Sequence, residues 1–165
     1  MVLKLYNSMG RKLQVFRPIR GKTVRMYTCG PTVWNYAHLG NYRTFVFEDV
    51  LRRYLRFKGF RVTQVMNITD VEDKIIKGMK EFKKSRKELA EFFEKAFKED
   101  LSTLGVEKAD FYPRATDHIP EMVALVRTLL RKGFAYKAED GSIYFRISRF
   151  NPPAFPSSII GRLSP

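Results

Sequence analysis

The chain has 165 residues, 44% of them hydrophobic, with 31 Lys and Arg against 17 Asp and Glu for a formal charge of +14. That length suffices for one domain with a real core, burying roughly 70% of the unfolded surface. No apolar run approaches the ~20 residues of a membrane span, the start Met1-Val2-Leu3-Lys4 lacks the charged-then-apolar build of a secretory leader, and one cysteine makes neither an internal disulfide nor, alone, a zinc site. A cytoplasmic protein with a polyanionic partner, RNA, DNA or a nucleotide, is the expectation. A charged surface of the heat-stable kind is the competing explanation, and the lopsided balance favours the polyanion.

In chain order, Lys12 to Phe16 and Thr23 to Thr28 gather β-favouring residues on either side of Pro18 and Gly21, and both read as short strands. Beyond Cys29-Gly30-Pro31, the residues Tyr42, Phe45, Val46, Val50, Leu51, Tyr54 and Leu55 recur at helical spacing as far as Gly59, with Arg52, Arg53 and Arg56 interspersed. This predicts a helix of about four turns. Arg61 to Ile68, RVTQVMNI, is a third strand, and Asp70 is the predicted cap of a helix over VEDKIIKGM. Strand, helix and strand with a long connection predict a right-handed parallel crossover, and so an α/β, doubly wound sheet. Leu89, Phe92, Phe93, Ala96, Phe97, Leu101 and Leu104 form the apolar stripe of a core-facing helix ending near Gly105. Pro113 breaks regular structure, and a further helix follows over Ile119 to Leu130, with Pro120 in its first turn and Gly133 past its end. FAYKAEDGSIYFRI reads as a hairpin turning at Asp140-Gly141, and the Pro- and Ser-rich NPPAFPSSIIGRLSP contains no predicted element.

The stretch CGPTVWNYAHLGN, residues 29–41, joins the second strand to the first long helix. In open α/β sheets this corner binds ligands, because the helix start presents amide donors and the positive end of its dipole, and phosphate is the natural guest. Gly30 and Gly40 let backbone approach a ligand, and His38 is placed to donate to a phosphate oxygen. The same residues also fit a plain turn at Gly30-Pro31, a small buried Cys29 and a histidine satisfied near a cap, and spacing alone leaves the two readings even.

MYTCGPTVWNYAHLGNYRTFVFEDVLRRYLRFKGF, followed by VTQVMNITDVEDKII, closely resembles the first half of the catalytic domain of the cysteinyl-tRNA synthetases, a class I aminoacyl-tRNA synthetase family. The likeness runs on through YPRATDHIPEMVALVRTLLRKGFAY and GSIYFRI and starts from LKLYNS. It implies half of a Rossmann-type, HUP-like nucleotide-binding fold, with parallel strands and flanking helices, over residues 1–112. A connective-peptide-like helix, β-hairpin and loose tail would occupy residues 113–165. It further implies ATP-dependent activation of cysteine and its transfer to tRNA, with His38 and Asn41 at the phosphates in His38-Leu39-Gly40-Asn41. Gly40 would give backbone access to the nucleotide and Gly30 to the aminoacyl adenylate, while Cys29 and Thr69 face the amino acid. Cys29 matches one of the family's four zinc ligands.

The other three ligands and the family's Lys-Met-Ser-Lys-Ser motif do not occur in matching positions. FKKSRK, residues 82–87, reads as a solvated lysine run in a charged helical region, and His118 as a helix-start histidine. The expectation is an ATP and cysteinyl-adenylate half-site, weak or inactive alone. The alternatives are a basic RNA-binding or regulatory paralogue without catalysis, and a cysteine ligase to an acceptor other than tRNA. The strand around Arg25 to Thr28 is expected to have an open edge, covered by a second copy, by a partner protein or by the tail segment PPAFPSSII.

Overall fold

Residues rich in β-branched and aromatic side chains between 23 and 28 and between 61 and 66 become neighbouring parallel strands, with the intervening amphipathic segment as the crossover helix. The computed structural model describes residues 2–8 and 10–150. In chain order it contains β1 (Lys4–Asn7), β2 (Lys12–Val15), β3 (Thr23–Thr28), α1 (Leu39–Phe57), β4 (Arg61–Met66), α2 (Asp73–Phe82) and α3 (Arg86–Thr103). A 3-10 turn (Ala115–His118), α4 (Ile119–Arg131), β5 (Ala135–Lys137), β6 (Ile143–Phe145) and a second 3-10 turn (Ile147–Arg149) follow. The tail named above as a cover for the open edge lies outside the described residues.

Contacts divide the chain into two units, residues 18–118 and residues 1–17 with 119–165. In the first, β3 and β4 pair in parallel from Thr23 beside Arg61 to Thr28 beside Met66. Residues 110–115 add a third row on the far side of β4, with Met66 N–H donating to Phe111 O at 3.0 Å, Ile68 N–H to Pro113 O at 2.8 Å and Ala115 N–H to Ile68 O at 3.0 Å. Pro113 is tolerated because only its carbonyl is used. The unit is thus a strand-helix-strand-helices-strand run, half of a doubly wound sheet, and among the described residues no strand pairs with the other edge of β3.

The core lies between the sheet and the helices. On α3, Leu89, Phe93, Phe97 and Leu101 are spaced by four and no more than 3% exposed, and burying each side chain is worth about 1.5–3 kcal/mol. Phe97 meets Phe45 of α1 edge to face at 5.1 Å, and Phe93 meets Tyr36 at 5.1 Å and Phe82 at 5.3 Å in the same manner. Tyr42 joins α1 to α3 by donating to Asp100, and burial together with that hydrogen bond pushes its phenol well above the ordinary tyrosine range.

Three expectations are corrected. Asp70 does not cap α2, whose N-cap is Glu72; it is 3% exposed and instead accepts from the Thr116 N–H at 2.9 Å and the Thr116 hydroxyl, pinning the third row to the end of β4. FKKSRK is a break between helices: Lys83 takes the left-handed conformation at φ 51°, and Ser85 caps α3 in a reciprocal box with Glu88. Third, α1 does not turn all its predicted apolar residues inward. Tyr42, Phe45 and Leu55 are buried, but Val46 and Val50 are 39% and 58% exposed, and the remainder of the buried face is Glu48, Asp49 and Arg52.

Those polar residues form a network beneath the sheet. Arg52 donates to Gln64 Oε1 at 3.2 Å, to Lys108 O at 2.5 Å and to Asp110 Oδ2 at 3.0 Å, and Gln64 Nε2 donates to Thr28 Oγ1 at 3.2 Å. Burial pushes the Glu48 carboxyl above the usual carboxylate range, opposed by a hydrogen bond with Thr28, and its Oε2 has no hydrogen-bond partner among the described residues. A carboxyl whose proton is held more tightly when folded adds stability at low pH, and that stability is lost as pH rises through the raised value. Glu48→Gln is therefore expected to raise the melting temperature at pH 7, with the advantage shrinking toward pH 4. A constant difference across that range would refute it.

In the second unit, β1 and β2 form an antiparallel hairpin, of which sequence predicted only the second strand. Helix α4 precedes the antiparallel pair β5 and β6, whose turn closes with Ala138 N–H on Ser142 O at 2.8 Å and Gly141 at φ +86°.

Candidate functional site

Both parallel strands end at the same level, and the two loops that leave them are stitched together. The Gly30 N–H donates to Asn67 Oδ1 at 3.1 Å, Asn67 Nδ2 donates to Thr69 Oγ1 at 3.1 Å, the Thr69 N–H donates to Pro31 O at 3.0 Å and the Val33 N–H to Thr69 O at 3.0 Å. Gly30 is required by this approach: a Cβ there would stand 1.9 Å from Asn67 O. Gly30 was expected to approach a ligand; its first neighbour is the other loop. Asn67, absent from the sequence-predicted set, is the link between Gly30 and Thr69, and its only signal was its place just after β4.

His38, Gly40 and Asn41 form a second set at the start of α1. His38 is the N-cap; its Nδ1 accepts from the Gly40 N–H at 3.1 Å, its carbonyl accepts from the Asn41 N–H at 2.8 Å, and its own N–H donates to Asn41 Oδ1 at 2.9 Å. The amides of Gly40 and Asn41, counted from sequence as free donors, are thus already occupied. Hydrogen-bond arithmetic then fixes what remains. With Nδ1 accepting, the ring proton is on Nε2, and with Oδ1 accepting, the Asn41 amide keeps its NH₂ donors. The cap consumes acceptors and leaves two exposed side chains presenting donors.

Cys29 adjoins the first set: its thiol is exposed and donates to Gly30 O at 3.7 Å. Among the described residues no group of three His, Cys, Asp or Glu side chains is arranged to hold a metal ion. The described residues by themselves do not complete a zinc site. His118 closes the 3-10 turn after the third row and belongs to neither set.

The geometry is that of a strand-to-helix crevice in an α/β sheet, and the comparisons decide whose. Residues 15–155 match the family model described as tRNA synthetases class I (C) catalytic domain. The chain belongs to this family. It is 50% identical over 148 residues to a cysteine–tRNA ligase of Protochlamydia amoebophila, 48% over 149 residues to one of Methanococcus maripaludis, and 49% over 150 residues to one of Thermococcus kodakarensis. Each match takes in about nine-tenths of this chain (90%, 90% and 91%) and 31% of the relative. The chain thus spans about a third of the length of the curated relatives that it matches. No helix among the described residues is long and apolar enough to cross a membrane.

Proposed function

We propose that the chain carries the ATP and cysteinyl-adenylate half-site of a cysteine–tRNA ligase catalytic domain. In the family reaction a cysteine carboxylate oxygen attacks the α-phosphorus of ATP, the bond to the bridging oxygen breaks and pyrophosphate leaves; the cysteinyl group then passes to tRNA. The observation that carries the reading is the reciprocal cap at His38 and Asn41. It aims Nε2–H and amide donors outward where an anionic oxygen would meet them, and such donors stabilise charge most when fixed beforehand. Gly40 keeps the helix entry free of a side chain. Cys29 and Thr69, at the ends of the two parallel strands, face the amino acid. In the doubly wound fold the nucleotide lies between two halves, and residues 1–165 supply one of them, so these residues alone exchange pyrophosphate into ATP slowly. The remaining charge stabilisation would come from further polypeptide meeting the open edge of β3, whether in the same chain or in another.

A non-hydrolysable cysteinyl-adenylate analogue, titrated calorimetrically, tests this beside cysteine-dependent ATP–pyrophosphate exchange. His38→Asn keeps a capping side chain but removes the Nε2–H donor, so it is expected to fold and to bind the analogue about 10- to 100-fold more weakly, the worth of a hydrogen bond to a charged group. Equal affinity in the two proteins, or none in either, would refute the half-site. Fast exchange by the isolated chain would refute the dependence on a partner.

A further inference from the structure

Just past β4 the chain alternates: Ile68 and Asp70 turn inward, 0% and 3% exposed, while Asn67 and Thr69 are half-buried. The inward residues anchor the segment. The Ile68 N–H donates to Pro113 O at 2.8 Å and its carbonyl accepts from the Ala115 N–H at 3.0 Å, while Asp70 accepts from Thr116 and pairs with Arg86 at 3.5 Å. Thr69 has both of its backbone groups engaged as well, its N–H on Pro31 O and its carbonyl with the Val33 N–H, each at 3.0 Å. Its hydroxyl is thus carried on a backbone held from both sides.

Within that frame one backbone proton sets the direction of two side-chain hydrogen bonds in series. A backbone N–H only donates, so the Gly30 N–H must be met by the oxygen of the Asn67 amide, Oδ1 at 3.1 Å. The NH₂ end of the same amide is then left facing Thr69. It too only donates, so the Thr69 hydroxyl oxygen, 3.1 Å from Nδ2, is the acceptor. A hydroxyl has one proton and two lone pairs. With a lone pair taken by Asn67, the proton cannot point back along that line and is turned away from Asn67. An aspartate at this position would satisfy Gly30 equally well, but its second oxygen would draw the Thr69 proton onto itself and leave the hydroxyl with lone pairs alone to offer. Asparagine and aspartate therefore hold the two loops alike and differ in the polarity they give Thr69.

We propose that Asn67 is a positioning residue for the amino acid: by donating to Thr69 it holds that hydroxyl as a hydrogen-bond donor to the bound amino acid. The inference rests on the placement of Thr69 beside the amino acid proposed above. The ammonium group of an amino acid only donates, so the partner of the hydroxyl proton is an acceptor atom of the cysteinyl moiety, and a donor aimed beforehand costs no reorganisation when that moiety arrives.

The test is a double-substitution cycle read by calorimetric titration of the non-hydrolysable cysteinyl-adenylate analogue into the chain. Thr69→Val and Asn67→Asp are each expected to weaken binding roughly 10-fold, with Asn67→Asp melting close to the parent because Gly30 keeps its acceptor. The double variant should bind as Thr69→Val does, since a residue acting through the hydroxyl has nothing to act on once the hydroxyl is gone. An added negative charge acting by itself would weaken binding in both backgrounds. A protonated aspartic acid regains a donor and restores the pattern of asparagine, so the deficit of Asn67→Asp relative to the parent should close as pH falls from about 7 toward about 4, the ordinary aspartate range. The titratable and charged groups of the adjoining loops and helix starts, Cys29, His38, Asp70 and Arg86, are common to both proteins and cancel from that ratio. Equal affinity of Asn67→Asp and the parent, a loss that repeats in full in the Thr69→Val background, or a deficit that does not change with pH would each overturn the positioning role. Thr69→Val binding as tightly as the parent would instead refute the placement of Thr69 at the amino acid, and the proposal with it.

Discussion

Arg52→Ala is expected to destabilise the central unit by about 3–5 kcal/mol, the cost of removing one partner from a buried charged pair. The guanidinium is 3% exposed on its side chain and makes three hydrogen bonds, to Gln64, to the Lys108 carbonyl and to Asp110. Truncation leaves all three acceptors without it and opens a cavity beneath the sheet. Asp110 also accepts the Gln64 N–H at 2.7 Å and its side chain is 36% exposed, so water recovers part of its solvation and the loss should fall at the lower end of the range. Arg52→Met combined with Asp110→Asn removes the charge on both sides while keeping volume, and should lose much less than Arg52→Ala. Urea denaturation followed by circular dichroism distinguishes them through the midpoint. A shift for Arg52→Ala worth under about 1 kcal/mol would mean that the network does not hold the sheet.

That network shows where sequence reading stopped. The strand-turn-helix-strand order and the parallel crossover were legible because β3, α1 and β4 carry strong period-two or helical patterns, and the corner at residues 29–41 was legible from its glycines and its place between them. The buried face of α1 was not. Hydrophobic periodicity scores Val46 and Val50 as inward and Glu48, Asp49 and Arg52 as outward, yet the three polar side chains find partners on β3, on β4, within the helix and in the 105–110 loop, and so are buried. Partners of that kind are distant in sequence, up to |i−j|=58 for Arg52 with Asp110, and no local pattern announces them.

The third row of the sheet was hidden for a related reason. Asp110 to Ala115 contains a proline and no apolar alternation, and it is held by backbone bonds to β4, by Asp110 on Arg52 and the Gln64 N–H, and by two further tethers outside the strand pattern. One is Asp70 on Thr116. The other is Glu94, 7% exposed at its side chain, with Arg114 Nη2 at 2.8 Å. The break between α2 and α3 was legible in principle, since Ser85 followed three residues later by Glu88 is a capping box. At the candidate site the bonding between residues was not legible. His38 and Asn41 were assigned to a ligand, and the structure adds that they first hold each other.

Gly30→Ala is expected to cost about 3 kcal/mol or more, at the upper end for overpacking, because the obstacle is backbone. The added carbon would stand 1.9 Å from Asn67 O and 3.0 Å from Asn67 C, with Met66 Cγ at 2.8 Å, and no rotamer change relieves a clash with a carbonyl at a strand end. The loop must move away, stretching the Gly30 N–H bond to Asn67 and freeing the Asn67 amide from Thr69. Adenylate-analogue binding should therefore fall together with the melting temperature, through displaced loops rather than a blocked pocket. Gly40→Ala is the discriminating control. Its Cβ would meet only His38 Nδ1 at 3.3 Å and Cε1 at 4.0 Å, and alanine is the better helix former by up to about 1 kcal/mol, so the fold should hold or gain while the methyl at the helix entry weakens nucleotide binding. Thermal melts and analogue titrations on both variants separate the two effects. Unchanged stability in Gly30→Ala would refute the close approach of the two loops, and unchanged binding in Gly40→Ala would place the nucleotide elsewhere than at the start of α1.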